Sequence, residues 1–173
     1  MTIETQNLLL ISCNIDILTG ATQSNEALAR KLGVSVPNRW TEFGTESLHY
    51  VLEKLSENEE EKGWWTYIPI YKPENKLIGS GGYQGKPTDD GTVEIGYEIL
   101  ADYRNRGLAT EMTLALVENA FRSPAVRSVI AHTLGEENSS TRVLRKCGFE
   151  KIDEIIHPQE GIIWKWKLSK TAI

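Results

Sequence analysis

Two arginines and a glycine lie where a strand-like pattern gives way to a helical one. Arg104, Arg106 and Gly107 follow the segment VEIGYEIL (93–100) and precede a helical repeat of apolar residues. The first backbone N–H groups of a helix have no partner within it, and the helix dipole is positive at that end. Because Gly107 lacks a Cβ and Ala109 has only a methyl group, an anion can approach these groups closely. The junction therefore predicts a pyrophosphate cradle with arginine charge at its rim.

An ordinary helix start can carry the same residues, so spacing alone leaves a plain helix terminus open as the alternative. Other phosphate motifs fit less well, because the chain contains no Gly-x-x-x-x-Gly-Lys-Ser/Thr string. The segment GSGGYQG (79–85) neither matches Gly-x-Gly-x-x-Gly nor precedes a helical pattern. Its glycines are more typical of a strand and its turn. Binding of a nucleotide or NAD at the helix terminus stays open as a further possibility.

Two carboxylates share one face of the strand that leads into the junction. Val93, Ile95, Tyr97 and Ile99 alternate along the segment and predict a buried face. Glu94 and Glu98 therefore lie together on the opposite face.

The elements that position these residues can be predicted from apolar periodicity and turn signals. We expect helices near 15–18 and 24–32, at 45–55, from Gly107 to Pro124, and over SSTRVLRKCGF (139–149), with Asp16 and Ser24 as start signals, Ser139 or Ser140 as a cap and Gly148 at the last helical end. We expect strands at 8–14, 64–71, 76–83, 92–100, 126–134, 149–156 and 162–168. Turns at KPEN and GKPTDDG separate the second, third and fourth of these.

Composition restricts the class of protein. A chain of 173 residues with 40% apolar and 25% charged residues fits one globular domain, residues 1–173. A net charge of −5 without a basic cluster argues against a nucleic-acid partner. No tract reaches the ~20 apolar residues of a membrane span, so we expect a cytoplasmic protein without a membrane partner. Scattered cysteines and histidines predict no metal site and no disulfide: Cys13, Cys147, His49, His132 and His157. We expect His132 to be a structural residue on a buried strand and Cys147 to lie in the core.

Two motifs resemble the GNAT superfamily of acetyl-CoA-dependent N-acetyltransferases, in the branch of ribosomal-protein N-terminal acetyltransferases of the RimJ and RimL type. Arg104-x-x-Gly107-x-Ala109 looks like the family's Arg/Gln-x-x-Gly-x-Gly/Ala loop over the coenzyme A pyrophosphate. The segment SSTRVLRKCGF is similar to the branch's Ser-x-Arg-Val-Leu-x-Lys-x-Gly-Phe stretch. LIGSGGYQG and GWW also resemble this branch, and the resemblance covers most of the chain.

The resemblance implies an α+β fold. Its mixed, strongly twisted central sheet has about seven strands flanked by helices, and it splays between the strands ending near Leu100 and Thr133. Acetyl-CoA, the cosubstrate, would lie in that gap, with its pantetheine arm bonded like a strand to Ile99 and Leu100. The cofactor-binding residues implied are Ile99, Leu100, Arg104, Asn105, Arg106, Gly107, Leu108, Ala109, Thr110, Asn138 and Arg142.

The chemistry implied is direct attack of a primary amine on a thioester, in a ternary complex. An amine with a pKa near ~10 must lose a proton first. By resemblance Glu94 is the base, acting directly or through water, with Glu98 as second choice and a polar edge as the plain alternative. A backbone N–H near Leu100 would polarise the acetyl carbonyl.

Two departures from the family pattern concern the helix at 139–146. The family's common tyrosine has Leu144 at its place, so Ser140 becomes the candidate proton donor to the thiolate, or else only a helix cap. The usual Asn-x-x-Ser spacing is also altered, because Asn138 stands two residues before Ser140 and Glu137 stands three before it.

The acceptor implied is an amine, either a peptide N-terminus or a small molecule, bound by a monomer or homodimer. It would approach over residues 16–55 and the turn at 157–161. Aromatic and acidic side chains there could shape a cleft or simply pack: Trp40, Glu42, Trp64, Trp65 and Tyr83. The alternative function is an acyl-CoA-binding sensor or scaffold without turnover.

Overall fold

The computed structural model of the protein describes residues 1–171. Nine strands are formed: β1 (Thr2–Glu4), β2 (Leu8–Ser12), β3 (Thr66–Tyr71), β4 (Lys76–Leu77), β5 (Gly79–Tyr83), β6 (Thr92–Ile99), β7 (Ser128–Leu134), β8 (Glu150–His157) and β9 (Gly161–Ser169). Five α-helices accompany them: α1 (Ile15–Gln23), α2 (Asn25–Leu32), α3 (Gly44–Glu57), α4 (Leu108–Phe121) and α5 (Ser139–Lys146). Within the described part of the chain, no helix is long and apolar enough to cross a bilayer.

The strands form one mixed sheet in the order β1-β2-β3-β5-β6-β7-β9-β8, with β4 paired to β3 outside this path. The pair β6–β7 is parallel, and the other neighbouring pairs are antiparallel. The expected mixed α+β sheet is confirmed, with nine strands rather than about seven. β1 has only three residues, too few for a periodic signal, and the strand expected at 76–83 is divided at Ile78.

Helices pack against both faces of the sheet, and an apolar core lies between the strands and the helices on each face. One contains α4 and α5 together with the odd-numbered residues of β6, such as Val93 and Ile95. The other contains α1 and α3, with Ile68 and Ile70 of β3. Because side chains alternate along a strand, the even-numbered residues of β6 face the side of α1 to α3. The predicted division of this strand into an apolar and an acidic face is confirmed.

The first two helices each begin at a side chain that accepts a backbone hydrogen bond. Ser24 caps α2, as expected, by accepting from Ala27 N at 3.0 Å. Asp16 does not cap α1, because Asn14 does so by accepting from Ile17 N at 2.8 Å. Asp16 lies in the first turn, where its charge favours the helix dipole.

The glycines of β5 are structural, as the sequence indicated. A Cβ at Gly79 would lie 2.0 Å from the carbonyl oxygen of Glu98, and one at Gly82 would lie 2.0 Å from that of Trp65. Real Cβ atoms do not come that close to a neighbouring strand, so glycine permits this strand spacing.

Candidate active site

A gap opens in the sheet between β6 and β7. The two strands pair only over Thr92–Glu94 and Ser128–Ile130. Beyond that point β6 pairs with β5, and β7 pairs with β9. The diverging ends leave backbone groups without a neighbouring strand, which is the splay that the resemblance implied.

The hydrogen-bond pattern of β6 determines which groups face this gap. Leu100 N donates to Ile78 O at 2.8 Å, and Gln84 N donates to Glu94 O at 3.0 Å. Even-numbered residues therefore bond toward β5, and the alternation of an antiparallel pair directs the backbone groups of Tyr97 and Ile99 into the gap.

The backbone groups of Leu100 itself, which the resemblance implied would meet the pantetheine arm, are already hydrogen-bonded. Its N–H is bonded to Ile78, and its carbonyl oxygen accepts from Tyr103 N at 2.9 Å. The turn that follows β6 uses these groups, so a strand-like partner in the gap would meet Tyr97 and Ile99 instead.

The amides from Asn105 to Thr110 lie between the end of β6 and the first turn of α4. None of these N–H groups donates to an acceptor within residues 1–171, whereas Glu111 N, one position further on, bonds Gly107 O at 3.0 Å. Asn105 and Gly107 have φ values of +63° and +77°. A Cβ at Gly107 would meet nothing within 4 Å. Free amides, the positive end of α4 and open space beside Gly107 suit a phosphate-bearing ligand.

The two arginines of the motif brace this loop. Arg104 Nε donates to Ile99 O at 2.8 Å, and Arg106 Nη2 donates to Asp102 O at 2.9 Å. The Arg106 guanidinium also lies over the Tyr103 ring, 4.9 Å from its centre. Their charges stay beside the amide run while their hydrogen bonds hold the loop in shape.

Glu98 anchors a loop on the opposite face of β6. Its carboxylate accepts from Ser80 Oγ at 2.8 Å and from the backbone N of Glu42, at 3.2 Å to each oxygen. A carboxylate that holds these donors positions the segment before α3 and has less freedom to accept a proton from a substrate.

Glu94 pairs with a histidine across the opening of the sheet. Its Oε1 lies 2.6 Å from Nδ1 of His132 on β7. The side chains are 34% and 31% exposed, respectively. β7 is largely buried, as expected, but it turns His132 itself to the face that the diverging strands leave open to solvent.

The start of α5 is capped by Asn138. Its side chain accepts from Thr141 N at 3.0 Å, and Thr141 Oγ1 accepts from Asn138 N at 3.0 Å, a reciprocal capping box. Neither Ser139 nor Ser140 is the cap. Ser140 lies half-buried in the first turn of α5.

The other residues expected on α5 divide between core and surface. Leu144 is fully buried, so the site of the family's tyrosine is filled by packing, and Arg142 is exposed. Arg145 binds the carboxylate of Glu137 with two nitrogens, one at 2.7 Å. This ion pair lowers the pKa of Glu137 from its ordinary 4.5 to about 2, chiefly through the hydrogen bond from Arg145.

Sequence reasoning missed Tyr97 as a residue of the site. From β6 its hydroxyl donates to Ser140 O at 3.3 Å, which connects the strand to α5. Burial raises the pKa of this phenol, so it stays protonated. Its alternation with Val93 and Ile95 indicated only a core position.

Cys147 lies in the core, as expected. It is 7% exposed, and burial raises the pKa of its thiol to about 11. Both cysteines of the described residues are free. Residues 1–171 contain no group of three or more His, Cys, Asp or Glu residues placed to hold a metal ion.

A cleft of about 210 Å³ reaches β6 at Gly96 and Tyr97, and neither Glu94 nor Glu98 lines it. Its lining includes Gly96 at mid-strand and aromatic side chains from the loop before α3, from α3 and from β3's start: Trp40, Phe43, Tyr50 and Trp65. Of the residues expected there, Glu42 and Trp64 do not line it; Trp64 packs edge-on against Tyr83 with ring centres 5.1 Å apart. A larger cleft, about 360 Å³, lies between the β1 region and α4, away from the gap.

The family model of the acetyltransferase (GNAT) domain matches residues 19–150. That range covers α2 to α5 and both strands of the gap. Among curated proteins, the chain is 26% identical over 148 residues to "Uncharacterized N-acetyltransferase YjdG" of Bacillus subtilis, covering 85% of this chain and 88% of that protein.

Solved structures show the same fold at low sequence identity. The ribosomal-protein-S5-alanine acetyltransferase from Vibrio fischeri superposes with a TM-score of 0.71 at 16% identity, covering 98% of this chain and 96% of that one. RimL, the ribosomal L7/L12 α-N-protein acetyltransferase in complex with coenzyme A, superposes with a TM-score of 0.72 at 13% identity, covering 98% of both chains.

Proposed function

The chain belongs to the GNAT acetyltransferase family and is an N-acetyltransferase; we propose that it moves an acetyl group from acetyl-CoA to the primary amine of a peptide N-terminus or a small molecule, within a ternary complex. The fold shared with two ribosomal-protein acetyltransferases supports placing it in the RimJ/RimL-like branch. The observation that carries the proposal is the gap between β6 and β7 together with the free amides of Asn105–Thr110, which follow the end of β6.

Coenzyme A would be held by backbone groups. The amides from Asn105 to Thr110 fit a pyrophosphate, and Arg104 and Arg106 keep their loop in shape. The pantetheine arm would bond to the backbone of Tyr97 or to the N–H of Ile99, where β6 has lost its neighbour, since Arg104 already occupies the Ile99 carbonyl oxygen. Asn138 and Arg142, at the start of α5, stay proposed contacts at the edge of the gap. When bound, acetyl-CoA supplies the activated acetyl thioester.

The acceptor amine would enter through the aromatic cleft on the other face. Trp40 and Trp65 line that cleft, and Gly96 leaves the strand between Glu94 and Glu98 uncovered by a side chain. Aromatic faces attract cations, and carboxylates favour an amine over a neutral group. This arrangement supports an amine acceptor and leaves its size open to measurement.

Residues on the two sides of the gap are proposed to accept and donate the protons of the reaction. Glu94 is the proposed carboxylate of the general base, acting directly or through a neighbouring group. Ser140 is the proposed donor to the departing sulfur, since its hydroxyl is not used for capping. The N–H group of either Tyr97 or Ile99 is the proposed donor to the acetyl oxygen, in place of Leu100, and the other is left for the pantetheine arm.

The test combines ligand binding with turnover. We expect coenzyme A and acetyl-CoA to raise the melting temperature, and ATP and NAD to leave it unchanged, because affinity for the folded state alone stabilises it. We also expect free thiol from acetyl-CoA with at least one acceptor among peptides with free amino termini and a polyamine. Stabilisation without thiol release from any acceptor indicates the sensor function, and stabilisation by ATP or NAD alone contradicts coenzyme A binding.

A further inference from the structure

His132 and Glu94 form a pair that the proposed function does not yet use. They lie on different strands, β7 and β6, at the point where pairing between those strands ends. The Nδ1 to Oε1 distance of 2.6 Å is a short hydrogen bond between two side chains that are each about one-third exposed. A contact of this kind orients the imidazole ring relative to the strand.

The partner determines which ring nitrogen carries the hydrogen. A carboxylate has no hydrogen to donate, so Nδ1 must be the donor to Glu94. In the neutral imidazole the other nitrogen, Nε2, then has a free lone pair. Nε2 has no hydrogen-bond partner in residues 1–171. The geometry therefore presents a base whose orientation Glu94 controls, as in triads where a carboxylate holds a histidine.

Neither residue of the pair lines the aromatic cleft, but Glu94 is the next residue along the strand face that borders it. Glu94 shares its face of β6 with Gly96, which lines that cleft. Glu98, the other carboxylate of this face, already holds Ser80 and the backbone of Glu42. Of the two glutamates, only Glu94 is hydrogen-bonded to a histidine within the described residues.

Resting on the proposed function, we propose that Nε2 of His132 takes the proton from the acceptor amine, and that Glu94 positions the ring rather than accepting the proton itself. The amine nitrogen then forms a C–N bond to the acetyl carbon, and the thioester C–S bond breaks. The nitrogen of the new C–N bond then releases its second proton to water, which leaves a neutral amide. The sulfur leaves as a thiolate, which takes a proton from water directly or from Ser140, which water then reprotonates. The imidazolium returns the first proton to water. Every proton is thereby assigned, and no further reactant is required.

Variants of His132 test whether His132 acts as the base or only positions a neighbouring group. The amide nitrogen of asparagine can replace Nδ1 as the donor to Glu94 but supplies no base. We expect His132→Asn and His132→Ala each to lower kcat/KM about 100-fold, within the range of general base catalysis. Added imidazole should restore part of the activity of His132→Ala, since the site is open to solvent. Urea unfolding of both variants shows whether they keep the fold.

A readout without acetyl-CoA tests the same geometry. In protein labelled with ¹⁵N-histidine at pH 8.5, where an imidazole is ordinarily neutral, we expect His132 to carry its hydrogen on Nδ1. In Glu94→Gln this preference should be lost, because the amide can accept from or donate to the ring. A wild-type ring with its hydrogen on Nε2 overturns the proposal.

The outcomes distinguish this inference from the proposed function. If the wild type turns over an amine and His132→Asn retains its rate within about threefold, which is less than the loss expected of a missing base, Glu94 is the base and the inference is wrong. If the wild type releases no thiol with any acceptor, the proposed function fails and the catalytic role of His132 fails with it.

Discussion

The hydroxyl of Tyr97 donates to the carbonyl oxygen of Ser140 at 3.3 Å, and this bond joins β6 to the first turn of α5 across the opening of the sheet. The phenol is largely buried and stays protonated because burial raises its pKa. The position of Ser140 therefore depends on a residue more than forty positions earlier in the chain.

Removing that hydroxyl should destabilise the protein modestly. We expect Tyr97→Phe to lower the free energy of unfolding by about 0.5–1.5 kcal/mol, because it leaves a carbonyl oxygen with one partner fewer. Urea unfolding measures the change. Tyr50→Phe is the control, since Tyr50 is 51% exposed and its ring contact with Trp65 is retained. Equal effects of the two substitutions would contradict a role for the Tyr97 bond.

Gly107→Glu should abolish coenzyme A binding while the protein stays folded. Its φ of +77° makes any other residue strained, at a cost of roughly 1–2 kcal/mol, and the new carboxylate would repel a phosphate beside the amide run. We expect affinity for coenzyme A, measured by calorimetry, to fall at least about 100-fold, or about 3 kcal/mol.

Gly33→Glu is the matched control for this strain. Gly33 ends α2 with a φ of +68°, and a Cβ there also meets nothing within 4 Å. It should destabilise the protein as much as Gly107→Glu and leave coenzyme A affinity unchanged. Retained affinity in Gly107→Glu would count against the cradle.

Substitutions of Ser140 and Asn138 should distinguish a role in catalysis from a role in capping α5. We expect Asn138→Ala to lower the free energy of unfolding by about 1 kcal/mol, since it removes the cap of α5. Ser140→Ala should change stability by less than about 0.5 kcal/mol. If Ser140 protonates the leaving sulfur, its loss should lower kcat roughly 10- to 100-fold, the low end for general acid catalysis because a thiolate leaves readily. An unchanged kcat in Ser140→Ala would remove it from the mechanism.

Glu98 should affect acceptor binding more than the chemical step. Its carboxylate holds the backbone of Glu42, so Glu98→Gln places an amide group against donors and loosens the segment before α3. We expect a several-fold higher KM for the acceptor with kcat within about threefold of wild type, the pattern of a lost binding contact. Glu94→Gln, the comparison variant, should lower kcat. The reverse pattern would make Glu98 the base.

The Glu137–Arg145 pair should contribute stability that depends on pH. The pKa of Glu137 is about 2 in the folded state and 4.5 ordinarily, so its contribution is present above 4.5 and is lost as pH falls toward 2. The melting temperature of the wild type should therefore exceed that of Glu137→Gln at pH 7, and this difference in melting temperature should be smaller at pH 3. Because this pair is exposed, added salt should also reduce the difference. A difference that grows on acidification would contradict the assignment.

Local pattern predicted much of this molecule. α4 was predictable because its apolar residues recur at helical spacing, and seven of its residues are buried. The two faces of β6 were predictable because β structure alternates with a period of two. β1 was not, because three residues carry no periodicity, and Asn14 was missed as the cap of α1 because several polar residues near the start compete for that role.

What the sequence by itself determined is the set of groups that can do chemistry: a loop with free amides around Gly107 and a strand with both carboxylates on one face. Such features arise from covalent geometry and local hydrogen bonding, which neighbouring residues control. The tertiary structure alone decided which groups are available. In the folded protein the backbone of Leu100 is hydrogen-bonded within the chain, His132 is hydrogen-bonded to Glu94, and the Tyr97 hydroxyl donates to Ser140 O. These outcomes depend on where β6 and β7 diverge, and that point is set by packing between residues far apart in the chain.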